Sequence, residues 1–421
     1  MRKLYDDAME IMQCALHAAQ PDTVVCRALR KLNVESGGRL VLIAIGKAAW
    51  QMAKAAAESL GESLSSGVVI TKYGHCLGDI PKLKIFEAGH PVPDENSFAA
   101  TEEVINAVRG LGHKDSVLFL VSGGGSALFE KPLIPIHEID GLTKQLLACG
   151  ADIVEMNTLR KRLSEVKGGK FALLCAPAKV FSVILSDIIG DPPDMIASGP
   201  AYPDQSTSEQ AFDIIAKYRL HISEQAKFFL SQETPNKLDN ITTEIAGGVR
   251  QLCDAAVEKC AALGYEPHVL TASLCCTARD AGSFMASIAQ YHQGADRSLA
   301  FIAGGETIVE LKGNGKGGRN QEIALSAAAG IAGIYNAAVF SFGSDGTDGP
   351  TDAAGGFVDG AAVEKFKQKN IDPHAYLKNN DAYHALDAIG GLIRTGPTGT
   401  NVNDLTVVLI KGSYLKPVTS Y

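Results

Sequence analysis

Positive charge is in short supply here. Among 421 residues there are 39 Lys and Arg against 47 Asp and Glu, for a net charge of −8. The basic residues are dispersed apart from the run Arg160-Lys161-Arg162, so no nucleic-acid face is expected. No apolar run approaches the roughly 18 residues of a membrane span, and no membrane partner is expected. The first twenty residues, MRKLYDDAMEIMQCALHAAQ, lack the unbroken apolar core of a signal peptide. Nine cysteines contain no CxxC pair, which reads as a reduced, intracellular set rather than a disulfide framework. The ten histidines form no HExxH or His/Cys pattern, so a zinc site is not expected. These absences predict a soluble, cytoplasmic protein and leave its oligomeric state, monomer or dimer, open. They leave anionic small molecules open as ligands, because a pocket can be basic within an acidic chain.

What is present points to a globular α/β protein. The hydrophobic fraction is 46%, and 43 glycines fall mostly just after apolar runs, where α/β proteins place ligand loops. The length predicts two domains. LVLIAIG (40–46), GVVITK (67–72), LKIFEAG (83–89), SVLFLV and KVFSVILSD (179–187) read as buried strands separated by helical stretches. The alternation predicts βαβ units, a largely parallel sheet and a Rossmann-like first domain. SQETPNKLDNIT (231–242) is the best linker candidate, which divides the chain into 1–235 and 236–421. In the second part, 243–263, 277–291 and 319–331 read as helices, and YEPHVLT, SLAFIAG, ETIVELKG, AAVFSFGSD and LTVVLIKG as strands.

Four constellations carry chemistry. Gly313, Gly315 and Gly318 fit G-x-G-x-x-G, and Asp345 lies 27 residues beyond. The dinucleotide fingerprint has its ribose acid about 20 residues on, so a dehydrogenase is a serious rival. Against it, Lys316 and Arg319 put charge into the loop, and Asp345 opens a second loop with Asp348 and Asp352. The preferred reading is a phosphate or nucleotide loop of Gly313, Gly315, Lys316, Gly317 and Gly318; a plain βα turn is the bland one. Lys47 follows a buried strand, but position 41 is not glycine and Ala48 stands where Walker A needs Ser or Thr. A cation at a helix start is unfavourable unless it faces a bound anion; a solvated lysine is the alternative. Ser122, Gly123, Gly124, Gly125 and Ser126 end a strand and offer backbone amides to a carboxylate or phosphate. The nucleophile elbow fails there for want of its final glycine. Asp187, with Asp191 and Asp194 behind it, reads as a base or metal ligand, or as a turn former. Arg160, Lys161, Lys167 and Lys170 flank Gly168-Gly169; some reach an anion or all are solvated.

Taken together, IGKAA (45–49), AGHPVPDENS (88–97), VSGGGSAL (121–128), NTLRKRLSEVKGGKFA (157–172), SDIIGDPPDMIASGP (186–200), GGETIVELKGNGKGGRNQE (304–322), GSDGTDGPTDAAGG (343–356) and TGPTGTNVNDL (395–405) run in order along the chain. The set resembles the glycerate 2-kinase family, whose C-terminal half is called the MOFRL domain and whose members are often labelled hydroxypyruvate reductase. The resemblance implies two α/β domains with the site in the cleft between them. It implies ATP-dependent phosphorylation of D-glycerate on its 2-hydroxyl, with Mg²⁺ as cofactor and glycerate and ATP as the small-molecule partners. By motif it implicates Lys47 and Arg319. Assigned from residue chemistry, Asp187 or Asp345 holds Mg²⁺ or orients the attacking hydroxyl. The rivals are an NAD(P)H-dependent hydroxypyruvate reductase and a non-catalytic sugar-acid or nucleotide sensor.

Overall fold

The computed structural model describes residues 2–412. They fold into two compact units, each built on a six-stranded sheet. The first unit comprises Pro21–Ser186 and Asp191–Ala246. Its strands are β1 (Leu40–Ile45), β2 (Ser66–Lys72), β3 (Leu83–Ala88), β4 (Ser116–Val121), β5 (Lys179–Leu185) and β6 (Ile241–Gly247), in the order β3-β2-β1-β4-β5-β6. β1 runs parallel to β2 and β4, β2 to β3, and β4 to β5. Every residue of LVLIAI and SVLFLV is buried, as expected for central strands covered on both faces. The order is the doubly wound one, and it reverses between β1 and β4. Ligands of such sheets bind beyond the carboxyl ends of the strands at that reversal. Lys47 follows β1 there, and Ser122 follows β4.

The second unit takes the residues through Gln20, Asp187–Gly190, and those from Gly247 onward. Its strands are β7 (Glu266–Leu274), β8 (Leu299–Gly305), β9 (Ala337–Gly343), β10 (Gly355–Asp359), β11 (Leu392–Ile393) and β12 (Asp404–Ile410), in the order β11-β10-β9-β12-β8-β7. This sheet is mixed: β12 lies antiparallel between β8 and β9, while β7 and β8 are parallel. The last described strand therefore closes the second sheet instead of returning to the first.

Several sequence expectations are revised. The helix read at 243–263 is strand β6 followed by the helix Val249–Ala262, with Gly247-Gly248 at the junction. ETIVELKG forms no strand beyond a single bridge from Ile308 to Thr277. The helices Ala362–Gln368, Pro373–Lys378 and Ala382–Ala388 are too short for the helical period to stand out in sequence.

Where the sequence reading divides the chain at 235/236, packing divides it after Ala246 and gives the first twenty residues to the second unit; residues 413–421 of the expected second domain lie outside the described residues. The cause is the helix Arg2–Ala18, which packs on Val249–Ala262. Asp7 there accepts the Tyr265 hydroxyl at 2.6 Å and pairs with Lys411 at 2.8 Å. Leu4, Ala8, Ile11 and Ala15 are buried one or two turns apart, with Ile11 fully enclosed. Ile11→Ala is expected to cost about 2–5 kcal/mol. A lower urea midpoint, absent in a variant at the exposed Asp6, checks it.

Candidate functional site

Each unit carries one cluster of functional groups. In the first, Gly46 adopts a left-handed φ of 113°, and a Cβ there would collide with Ser122. The close approach lets the two strand ends bond directly. Lys47 N–H donates to the Gly123 carbonyl at 2.9 Å, and Ala48 N–H to Ser122 Oγ at 3.1 Å. Ser122 Oγ is thus engaged inside the fold, and the residue is buried. Its expected ligand role gives way to a structural one. Beyond it, the amides of Gly123, Gly124, Gly125 and Ser126 have no acceptor among the described residues. Gly124 has φ 88°, and a Cβ would sit 3.2 Å from Lys47 Cγ and 3.0 Å from the His90 ring. The Lys47 side chain therefore runs along this open turn. It is half-buried, and its ammonium has no ion pair among the described residues.

The other cations expected nearby are engaged differently. Lys161 reaches Asp194 and Asp204, both at 3.2 Å. Arg162 donates to Ser206 Oγ at 2.8 Å and pairs with Glu233 at 3.0 Å. Lys167 is fully buried and donates to the carbonyls of Ser126 and Phe129 at 2.7 and 3.0 Å, with Glu130 at 3.3 Å. Lys170 donates to the Ser164 carbonyl at 2.6 Å. These three lysines and Arg162 hold the fold together. Lys47 does not, and a half-buried charge without a partner is unfavourable until an anion arrives.

In the second unit Arg319 begins the helix Arg319–Gly330. Its Nε and Nη2 grip both oxygens of Asp404, and Nη1 reaches Glu306 at 2.7 Å. Burial alone would lower the guanidinium's hold on its proton, but the Asp404 carboxylate outweighs this and raises it. Three of its five N–H groups are engaged, which leaves two donors for a ligand. Asn403 Nδ2 donates at 3.2 Å both to Glu306 and to the Asp187 carbonyl. Asp345 is half-buried and accepts the Thr347 amide at 2.8 Å through Oδ1. The Cβ position of Gly343 lies 3.4 Å from Asp404 Oδ1 and 3.5 Å from Asp345 Oδ1, so the two carboxylates converge on one strand end. The structure thus gathers Arg319, Asp345 and the Asp187 backbone into one neighbourhood.

Glu306, Asn403 and Asp404 were not singled out from sequence. The available signal was an acid directly before the apolar run LTVVLI and another directly after the strand ending in Gly304-Gly305. Among the described residues, no three His, Cys, Asp or Glu side chains form a group that could hold a metal ion.

The glycine loop at 313–318 departs from its expected role. The amides of Lys312 and Gly313 donate to Asn380 Oδ1 at 2.7 and 2.9 Å, and that of Asn314 to Asn379 Oδ1 at 3.2 Å. Those of Gly315 and Lys316 go to the Asn379 carbonyl at 2.9 Å and Asp381 Oδ1 at 3.0 Å. A Cβ on Gly313, Gly315 or Gly318 would run into Asn379, Asp381 or Asp348. These glycines permit close packing, and the amides from Lys312 to Lys316 are occupied. The start of the following helix is also closed: Asp348 accepts the amides of Asn320 and Gln321 at 3.1 and 2.8 Å. Burial still pushes the Asp348 carboxyl up to about 7. What the loop leaves open are the amides of Gly317 and Gly318, which have no acceptor among the described residues, and the Lys316 ammonium, 4.3 Å from the Tyr383 ring centroid.

Residues 7–231 match a family described as a domain of unknown function (DUF4147), and residues 299–404 match the MOFRL family. A D-glycerate 2-kinase from Thermotoga maritima is 52% identical over 409 residues, covering 96% of this chain and 97% of that protein. This chain belongs to the glycerate 2-kinase family. A crystal structure of glycerate kinase from Thermotoga maritima superimposes with a TM-score of 0.93 at 51% identity, covering 97% of this chain and all of the other. Another relative of this glycerate 2-kinase family chain, from Agrobacterium vitis, carries a provisional hydroxypyruvate reductase name; it is 39% identical over 95% of this chain and 93% of its own length. No helix among the described residues is long and apolar enough to cross a membrane.

The Arg319 cluster has a testable energetic signature. Asp404→Ala leaves a largely desolvated guanidinium with one carboxylate fewer. The expected loss is about 2–3 kcal/mol, below the fully buried limit because Arg319 is partly exposed. Asp404→Asn, which keeps an acceptor, should lose less. Urea unfolding of both variants checks the order.

Proposed function

We propose that this protein is a D-glycerate 2-kinase, transferring the γ-phosphoryl group of ATP to the 2-hydroxyl of D-glycerate. The 2-oxygen forms a bond to phosphorus, the bond to the β-phosphate oxygen breaks, and ADP leaves with that electron pair. The hydroxyl proton passes to a nearby base. Transfer of this kind needs positioning and charge neutralisation more than covalent catalysis. The observation that carries the reading is the Lys47 ammonium, without an ion pair among the described residues, beside a turn whose amides have no acceptor among them, in a chain 52% identical to a D-glycerate 2-kinase. Lys47 and the Gly123–Ser126 amides take negative charge of substrate or transferring group. Arg319, oriented by Asp404 and Glu306, offers its two remaining donors to the phosphoryl oxygens. Asp345 orients the attacking hydroxyl or receives its proton.

Asp345, with Asp187 as second candidate, would hold Mg²⁺, and the ion's positive charge would offset the negative charge developing on the phosphates. Such an ion needs only one or two protein carboxylates besides the nucleotide. Asp345 fits that requirement, because only its Oδ1 is engaged among the described residues. Asp187 stands at the same strand-end neighbourhood through its carbonyl and is the second candidate ligand. ATP placement near Lys316 is supported by its ammonium and by the amides of Gly317 and Gly318, since those of residues 312–316 are occupied. Those occupied amides, and the Asp348 cap on the following helix, also favour the kinase over a nicotinamide-dependent reductase built on the same fingerprint.

A coupled assay with D-glycerate and ATP-Mg²⁺ tests the reading. Signal through enolase without added mutase identifies 2-phosphoglycerate. Oxidation of NAD(P)H by hydroxypyruvate at comparable rates would instead establish the reductase. Lys47→Ala should fold normally and Arg319→Ala should fold with a stability loss like that of Asp404→Ala, and each should lose on the order of 10²-fold or more in kcat/KM. Arg319→Lys should remain impaired, because an ammonium cannot reproduce the bidentate hold on Asp404. Wild-type turnover in the Lys47 and Arg319 variants would remove both from the mechanism.

A further inference from the structure

Three consecutive cations, Arg160, Lys161 and Arg162, lie on the helix Ile153–Arg162, about 100° apart around its axis. Lys161 pairs with Asp194 and Asp204, and Arg162 pairs with Glu233 and Ser206 through its terminal nitrogens, although its Nε, like that of Arg160, is buried without a hydrogen bond among the described residues. Arg162 shares the unbonded Nε but has the Glu233 carboxylate; what sets Arg160 apart is that no carboxylate among the described residues answers its half-buried charge. A buried donor left without an acceptor is unfavourable, which points to an acceptor that arrives with a ligand.

The surroundings say where that ligand binds. Asn157, three residues earlier and on the same helix face, accepts the Ser198 hydroxyl at 3.0 Å, and Ser198 in turn meets Ser126 Oγ at 3.2 Å. Lys167, whose ammonium sits on the Ser126 carbonyl, is held below the usual ammonium range by its burial and, after the opposing pull of Glu130, by the Arg160 charge. The face that presents Asn157 and Arg160 therefore adjoins the Ser126 end of the open turn, and Lys47 runs along its Gly124 end. The backbone between them is strained: Ala197 and Ser198 adopt left-handed φ of 52° and 61°. Such conformations persist where the surrounding structure must hold a shape.

We propose that Arg160 binds the carboxylate of the hydroxy-acid substrate, fixing its 2-hydroxyl for transfer while Lys47 is left to the phosphoryl group. The proposal rests on the kinase reading. A planar guanidinium pairs with a carboxylate through two parallel N–H bonds, which orients the acid and not merely attracts it. The same arrangement explains a preference for 2-hydroxy acids over neutral polyols, because a neutral ligand would leave the guanidinium unsatisfied.

Arg160→Gln and Arg160→Lys in the full chain test it, with D-glycerate, ATP and glycerol as variable substrates. In Arg160→Gln the KM for D-glycerate should rise roughly 30-fold or more, with the KM for ATP and the thermal midpoint unchanged. Arg160→Lys should recover part of the loss. The discrimination between D-glycerate and glycerol should shrink in parallel. An unchanged glycerate KM, or equal rises for glycerate and ATP, overturns the proposal. So does unfolding of both variants, which would make Arg160 a structural residue. Absence of glycerate phosphorylation by the wild-type enzyme is a separate outcome and overturns the kinase reading itself.

Discussion

A cation taken partly out of water must find negative charge, and this chain meets that demand in two ways. Lys161, Arg162, Lys167 and Arg319 meet it internally, with Asp204, Glu233, Glu130 and Asp404 among their partners. Lys170 has three backbone carbonyls instead. These pairs tie the helix Ile153–Arg162 and the Gly168-Gly169 turn to the first unit, and the start of the helix Arg319–Gly330 to the second. Lys47 and Arg160 have no such partner among the described residues. The distinction separates cations used up inside the fold from cations available to a ligand, with Arg319, which keeps two donors beyond Asp404 and Glu306, on both sides of it; proximity in sequence does not predict it, since Arg160 and Lys161 are neighbours with opposite fates.

The same logic sorts the glycines. Both glycine-rich turns follow apolar runs and look equally suited to cradle an anion. In the turn at 122–126 the amides of Gly123–Ser126 remain open, because the strand ends are joined through Ser122, Lys47 and Ala48. In the loop at 313–318 the glycines let the chain approach Asn379–Asp381 closely enough for five successive amides to be satisfied there. A glycine pattern records that backbone comes close to something. Whether that something is a phosphate or another stretch of backbone depends on residues 64 or more positions away.

The N-terminal helix shows a comparable dependence. Its amphipathic period is plain in sequence, but its partner is the helix Val249–Ala262, and the deciding contacts are those of Asp7 with Tyr265 and Lys411. A linker search along the chain weighs composition and cannot see that the first twenty residues complete a core begun after residue 246.

Local chemistry was enough to establish the α/β class, the five strands of the first unit from Leu40 to Leu185, the strand-end positions of Lys47 and the Ser122–Ser126 turn, and the family. These are legible because buried parallel strands are short continuous apolar runs, and because glycine and charge placed just after them are rare without a purpose. Tertiary structure alone decided the rest. It made β12 the centre of the second sheet, set Asp404 and Glu306 around Arg319, occupied the amides from Lys312 to Lys316 in the fingerprint loop, and left Lys47 and Arg160 without ion pairs among the described residues. Each of these outcomes depends on pairing between groups far apart in the chain, and neither periodicity nor motif spacing carries information about which distant acid a given cation will meet.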